Sequence, residues 1–161
     1  MPERRIGLRD SAATAEWGRR LAEHVAVGDL IVLSGDLGAG KTTLARGLGE
    51  GLGVRGAVTS PTFVIARRHP AGARGIALLH VDAYRLGTAA ELDDLDLDTS
   101  DAVTVVEWGR GRVEHLAPSR LEIALMPSGE AREAHVTGHG PRWGADAVDA
   151  LPGAEPPVPS A

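Results

Sequence analysis

Residues 35–42, Gly-Asp-Leu-Gly-Ala-Gly-Lys-Thr, satisfy every fixed position of the pattern G-x-x-x-x-G-K-[ST]. The chemistry such residues perform is the gripping of nucleotide phosphates. Glycines let successive backbone N–H groups converge on phosphate oxygens where side chains would block the approach. The N-terminus of a following helix adds unsatisfied N–H groups and the positive end of its dipole. Lys41 then reaches the β- and γ-phosphates, and Thr42 places its hydroxyl on Mg²⁺. Candidate nucleotide-binding residues are therefore Gly35, Gly38, Ala39, Gly40, Lys41, Thr42 and Thr43. Of the 17 basic residues, 16 are arginine and the one lysine is Lys41. A compact ammonium on a flexible stem has been kept where a planar guanidinium will not substitute.

A phosphate loop also needs an acid near Thr42 to hold the metal, usually at the carboxyl end of a neighbouring strand. Two residues qualify. Asp82 ends the run IALLHVD, and Glu107 ends VTVVE. Sequence alone leaves open which would ligate the metal and which would orient water. The chain has neither asparagine nor glutamine. That removes both an N-K-x-D guanine reader and a water-positioning glutamine, so ATP is expected rather than GTP.

Other residues near these acids have plainer readings beside the functional ones. His80 shares a strand face with Asp82, where a histidine is more often a satisfied structural residue. Tyr84 and Arg85 follow Asp82 at once; Arg85 can meet a phosphate or pair with a nearby acid. Trp108 follows Glu107 and points to the other face, into the core or toward a base or partner. Six acids between residues 88 and 101 read as a solvated helix face and loop. They lack the glycine and spacing of an EF-hand.

The elements that must position these groups can be read from periodicity. Residues 4–8 form a short first strand. Asp10 or Ser11 then caps a helix whose Trp17, Leu21 and Val25 recur at helical spacing. Residues 30–34, LIVLS, are a continuous apolar run suited to a strand buried on both faces. The phosphate loop and a helix over 42–52 follow, with glycines at 47, 49 and 51 interrupting it. Strands over 63–68 and 76–82 flank the polar turn HPAGARG, and another covers 103–106. Residues 121–126 and 132–136 make a late hairpin around PSGE, and 143–151 can hold a short helix. This alternation predicts an α/β single-domain P-loop NTPase, its central sheet mixed and flanked by helices. The domain spans 1–151, and residues 152–161 form a proline-rich tail expected to be disordered.

Composition agrees. A chain of 161 residues, 43% hydrophobic, fits one domain with a real core. With no cysteine, there is no disulfide framework or thiolate metal site. Neither a signal peptide nor a membrane-spanning run is visible, so a cytoplasmic protein is the plain reading. A net charge of −5 argues against a chain whose main task is to hold a nucleic acid unaided.

GDLGAGKTT, then SPTF at 60–63, HVDAYRL at 80–86 and VEWG at 106–109 resemble, in order and spacing, one family. It is the bacterial P-loop ATPase family required for tRNA threonylcarbamoyladenosine biosynthesis, and the similarity runs from about residue 8 to 138. The resemblance implies an ATPase that acts with two partners, the threonylcarbamoyl transferase and its non-catalytic paralogue. Their complex modifies tRNAs reading codons that start with A, and the partners hold the tRNA. It also implies roles for individual residues. Thr42 and Glu107 match the family's Mg²⁺ ligands. Asp82 matches the acid near the γ-phosphate that can activate water, and with Lys41 it is the catalytic candidate. Ser60 and Thr62 fall in a switch-like loop, with Thr62 placed to respond to the γ-phosphate. His80, Tyr84, Arg85 and Trp108 fall in the motifs tied to switching or partners. Arg132 matches a basic position near the nucleotide, and Ser11 or Thr14 falls where the N-terminal segment approaches adenine. Gly109 stands where the family often has proline. The other class of enzyme to weigh is a small-molecule P-loop kinase, for which Arg67-Arg68 and Arg110-Gly-Arg112 are the candidate lid.

Overall fold

Two apolar runs without a polar face, Leu30–Gly35 (β2) and Ala102–Glu107 (β5), must be covered on both sides. A computed structural model, describing residues 1–36, 38–56, 66–83, 99–107, 117–129 and 131–153, sets them side by side in the sheet. The remaining strands are Glu3–Leu8 (β1), Ala66–His69 (β3), Ala77–Asp82 (β4), Arg120–Ser128 (β6) and Ala131–His139 (β7). The sheet has seven strands in the order β1-β7-β6-β2-β5-β4-β3. Pairing is parallel through β6-β2-β5-β4 and antiparallel for β1 on β7, β7 on β6 and β3 on β4. Both expected hairpins are present, and the sheet is mixed, as the α/β reading requires.

The larger core cluster lies on one face of this sheet. It joins Ile31, Leu33, Val105, Ile123 and Val136 of the strands to Trp17 and Leu21 of α1 (Ser11–Leu21) and Leu44 and Leu48 of α2 (Lys41–Leu52). Alternate residues Leu30, Val32, Leu79, Val81 and Val106 form a second cluster on the opposite face. The α1 helix starts where its side chains allow: Asp10 is the N-cap, its carboxylate accepting from Ala13 N at 2.8 Å. It ends at Leu21, earlier than the apolar spacing implies, and Ala22–His24 tighten into a 3₁₀ turn. The α2 helix ends at Gly53, whose φ of 71° is left-handed and suited to glycine.

A short helix, Ala145–Asp149 (α3), follows a 3₁₀ turn at Pro141–Trp143. Pro152 and Gly153, which composition assigns to the tail, are tied to α1: Pro152 O accepts from Trp17 Nε1 at 2.8 Å, and Gly153 O from Arg20 at 3.2 Å. Among the described residues, no helix is long and apolar enough to cross a membrane.

Candidate functional site

At its carboxyl end β2 runs straight into the phosphate loop. Gly35, at φ 142°, has no room for a side chain, because a Cβ there would meet Leu125 O at 2.7 Å. Gly38 and Gly40 take φ values of 81° and 101°, which other residues rarely adopt. Gly40 is the N-cap of α2 and so offers no side chain to the helix's first N–H groups. Those donors are left for a ligand.

Lys41 begins the helix. Its Nζ donates to Gly35 O at 2.7 Å and Asp36 O at 2.9 Å, folding the ammonium back over the loop. The side chain is buried, and burial draws its pKa below that of an ordinary lysine. Glu107, Asp36 and Asp82 oppose that shift by favouring the charged form. The site therefore gathers three carboxylates around the one lysine. Thr42 and Thr43, both half-buried, complete the first turn.

The two candidate acids are adjacent. Asp82 of β4 and Glu107 of β5 are register partners, and Glu107 also pairs with Leu33 of β2. Parallel strands bring their carboxyl ends to one side of the sheet, which is why both acids arrive beside the loop. His80, fully buried, brings its Nε2 to 2.5 Å from Glu107 Oε2. Among the described residues, no group of three or more His, Asp or Glu could hold a metal by itself. Mg²⁺ fits what is here. It takes one or two carboxylates plus phosphate and water oxygens rather than an all-protein cage. The Thr42 hydroxyl with Glu107 or Asp82 is such a partial set.

On the loop's other flank, Asp10, Ser11, Thr14, Gly38, Thr43 and Arg132 line a cavity of about 90 Å³. Arg132 of β7 donates to Ala131 O at 3.0 Å and reaches Gly38 O at 3.4 Å. It also borders a neighbouring hollow of about 310 Å³ beside Leu8, Arg9 and Ala13. Thr14 is buried and its hydroxyl donates to Asp10 O at 3.1 Å. A larger hollow of about 470 Å³ includes Arg5, Ser34, Glu122 and His135 but none of the loop residues.

The fold thus brings Gly35, Gly38, Ala39, Gly40, Lys41, Thr42 and Thr43 together with Ser11 and Arg132 on one flank and His80, Asp82 and Glu107 on the other. Ser60, Thr62, Tyr84, Arg85 and Trp108 lie outside the described residues. Two features escape a reading of the sequence. Asp10, one of the two caps the sequence offers, also lines the cleft, and His80 touches Glu107. The second was hinted at only by the equal placement of HVD and VVE at the ends of two apolar runs.

The family model described as "Threonylcarbamoyl adenosine biosynthesis protein TsaE" matches residues 8–134. The chain is 58% identical over 146 residues to the tRNA threonylcarbamoyladenosine biosynthesis protein TsaE of Streptomyces coelicolor, covering 86% of this chain and 99% of that one. To the Bacillus subtilis protein of the same name it is 41% identical over 120 residues, covering 72% and 73%. The fold resembles the crystal structure of Bacillus subtilis YdiB with a TM-score of 0.73 and 30% identity, over 92% of this chain and 93% of that one.

Proposed function

Since the chain belongs to the threonylcarbamoyl adenosine biosynthesis protein TsaE family, and so to the machinery of tRNA threonylcarbamoyladenosine biosynthesis, we propose that its part there is to bind and hydrolyse ATP with Mg²⁺. The observation that carries the proposal is the phosphate loop with buried Lys41, faced by the register pair Asp82 and Glu107. In this reading the loop's N–H groups from Gly38 to Thr43 hold the phosphates, and Lys41 exchanges the Gly35 and Asp36 carbonyls for β- and γ-phosphate oxygens. Thr42 and Glu107 hold Mg²⁺, which when bound offsets charge developing on the transferring phosphoryl group. Asp82 orients the attacking water and accepts its proton. Adenosine lies toward the cleft of Asp10, Ser11, Thr14 and Arg132.

The work is done in the cytoplasm with the threonylcarbamoyl transferase and its paralogue, on tRNAs that read codons starting with A. With a net charge of −5, the chain leaves tRNA binding to those partners. A kinase lid finds no support in Arg67 and Arg68. Both lie in strand β3, and Arg68 is ion-paired with Asp101; Arg110 and Arg112 lie outside the described residues.

The test is the ATPase rate of the purified chain, alone and with the transferase heterodimer, for wild type and Lys41→Ala. A slow rate alone and a marked rise with the heterodimer are expected. Lys41→Ala should weaken ATP binding by about 100-fold or more, since two charge-assisted contacts are lost. A fast rate that the heterodimer leaves unchanged would overturn the partner-dependent reading.

A further inference from the structure

His80 is fully buried in the middle of β4, flanked across the sheet by Arg67 of β3 and Val105 of β5. Two residues further along β4 and β5 come Asp82 and Glu107, on the same face. The imidazole therefore reaches diagonally, and its Nε2 meets Glu107 Oε2 at 2.5 Å with side-chain exposures of 0% and 8%. The other ring nitrogen, Nδ1, is buried with no partner among the described residues. That favours the Nε2–H tautomer, whose proton goes to the carboxylate, over one that would bury an N–H without an acceptor.

We infer that His80 is a positioning residue, whose Nε2–H fixes one oxygen of Glu107 and thereby leaves the other, Oε1, directed to the metal. The inference rests on the nucleotide-site reading given above. A glutamate has three side-chain torsions, and holding it ready for a ligand requires something to stop them. In metal sites that task falls to outer hydrogen bonds, and losing one costs about 10–100-fold in metal affinity. A histidine serving only to fill the core would need no particular nitrogen on Glu107.

The test is Mn²⁺ affinity, followed by electron paramagnetic resonance, for the full chain saturated with ADP. It is paired with ADP affinity measured without metal. His80→Leu should weaken Mn²⁺ binding about 10–100-fold and leave metal-free ADP binding unchanged. His80→Gln, whose side-chain amide can donate from close to the same position, should recover most of the loss. Equal damage in both variants, or none in His80→Leu, would overturn the positioning role. Glu107→Gln separates the two layers: if it leaves Mn²⁺ affinity intact, the metal assignment itself falls, and the positioning role with it. Because His80→Leu is a core substitution, ring-nitrogen NMR of the wild-type protein supplies a check that needs no variant. An Nε2–H tautomer is expected, and Nδ1–H would contradict the inference.

Discussion

Lys41 and His69 are both buried bases, and their surroundings push them apart. Burial lowers the pKa of each. Around Lys41, the carboxylates of Glu107, Asp36 and Asp82 favour the charged form and oppose the effect of burial. Around His69, the nearby Arg67 guanidinium adds positive charge and reinforces the lowering. His69 is therefore neutral in the fold. The unfolded chain, with an ordinary histidine near 6.5, takes up a proton first as pH falls. Stability from this residue is thus present above about pH 6.5 and is lost as pH falls below it, until the folded form also protonates. Melting temperature should fall more steeply from pH 7 to pH 5 in wild type than in His69→Leu. Parallel slopes would show that His69 is not the acid-sensitive group. The two residues also differ in how readable they were. Lys41 sits in a motif whose every position has a reason. His69 sits in HPAGARG, which reads as a polar turn, yet pairing with Leu78 carries it into β3 and under cover. Strand register decides that, and register is a property of two segments rather than one.

Between elements, the close contact of α1 and α2 turns on glycines that look like defects in a helix. An alanine Cβ at Gly47 would lie 2.1 Å from Ala15 O, at Gly51 2.4 Å from Arg19 O, and at Gly18 2.6 Å from Leu44 O. These positions let the two backbones meet directly, as small residues do wherever helices approach closely. Alanine would gain about 1 kcal/mol of helix propensity over glycine. At Gly47 the clash is with main chain, which cannot swing aside, so overpacking of about 1–3 kcal/mol should win. Gly47→Ala is expected to lower the urea midpoint, whereas Gly7→Ala in β1, with nothing within 4 Å, should leave it level or raise it. A raised midpoint for Gly47→Ala would mean that the helices can separate at little cost. Strands β2 and β5 were plain from their unbroken apolar runs, because burial on both faces leaves a one-dimensional mark. The glycines gave only an apparent weakening of α2. Their purpose is a distance between two helices, and no single segment carries it.

Over the whole molecule, the two ends of the described chain close on each other at the sheet edge formed by β1 and β7. Arg4 of β1 donates to the carbonyls of Val148, Asp149 and Leu151, the last at 2.5 Å. Trp17 and Arg20 of α1 take those of Pro152 and Gly153. Because every acceptor is a backbone oxygen, this latch leaves no trace in side-chain pattern, and composition alone places the boundary at residue 151. The latch also matters to the site at one remove: Trp17 anchors the same helix whose first turn, Ser11 to Thr14, lines the cleft beside the phosphate loop. Replacing Trp17 by Phe keeps an aromatic ring but strands the buried Pro152 carbonyl, a loss of about 1–3 kcal/mol. The urea midpoint of Trp17→Phe should fall accordingly, and the slope of the transition should stay the same, as expected when stability changes without a change in the surface exposed. Metal-free ADP affinity should hold for the molecules that remain folded. A fall in affinity without a fall in midpoint would place the role of Trp17 in aligning the cleft. An unchanged midpoint with unchanged affinity would mean that the bond to Pro152 adds nothing that packing does not already provide.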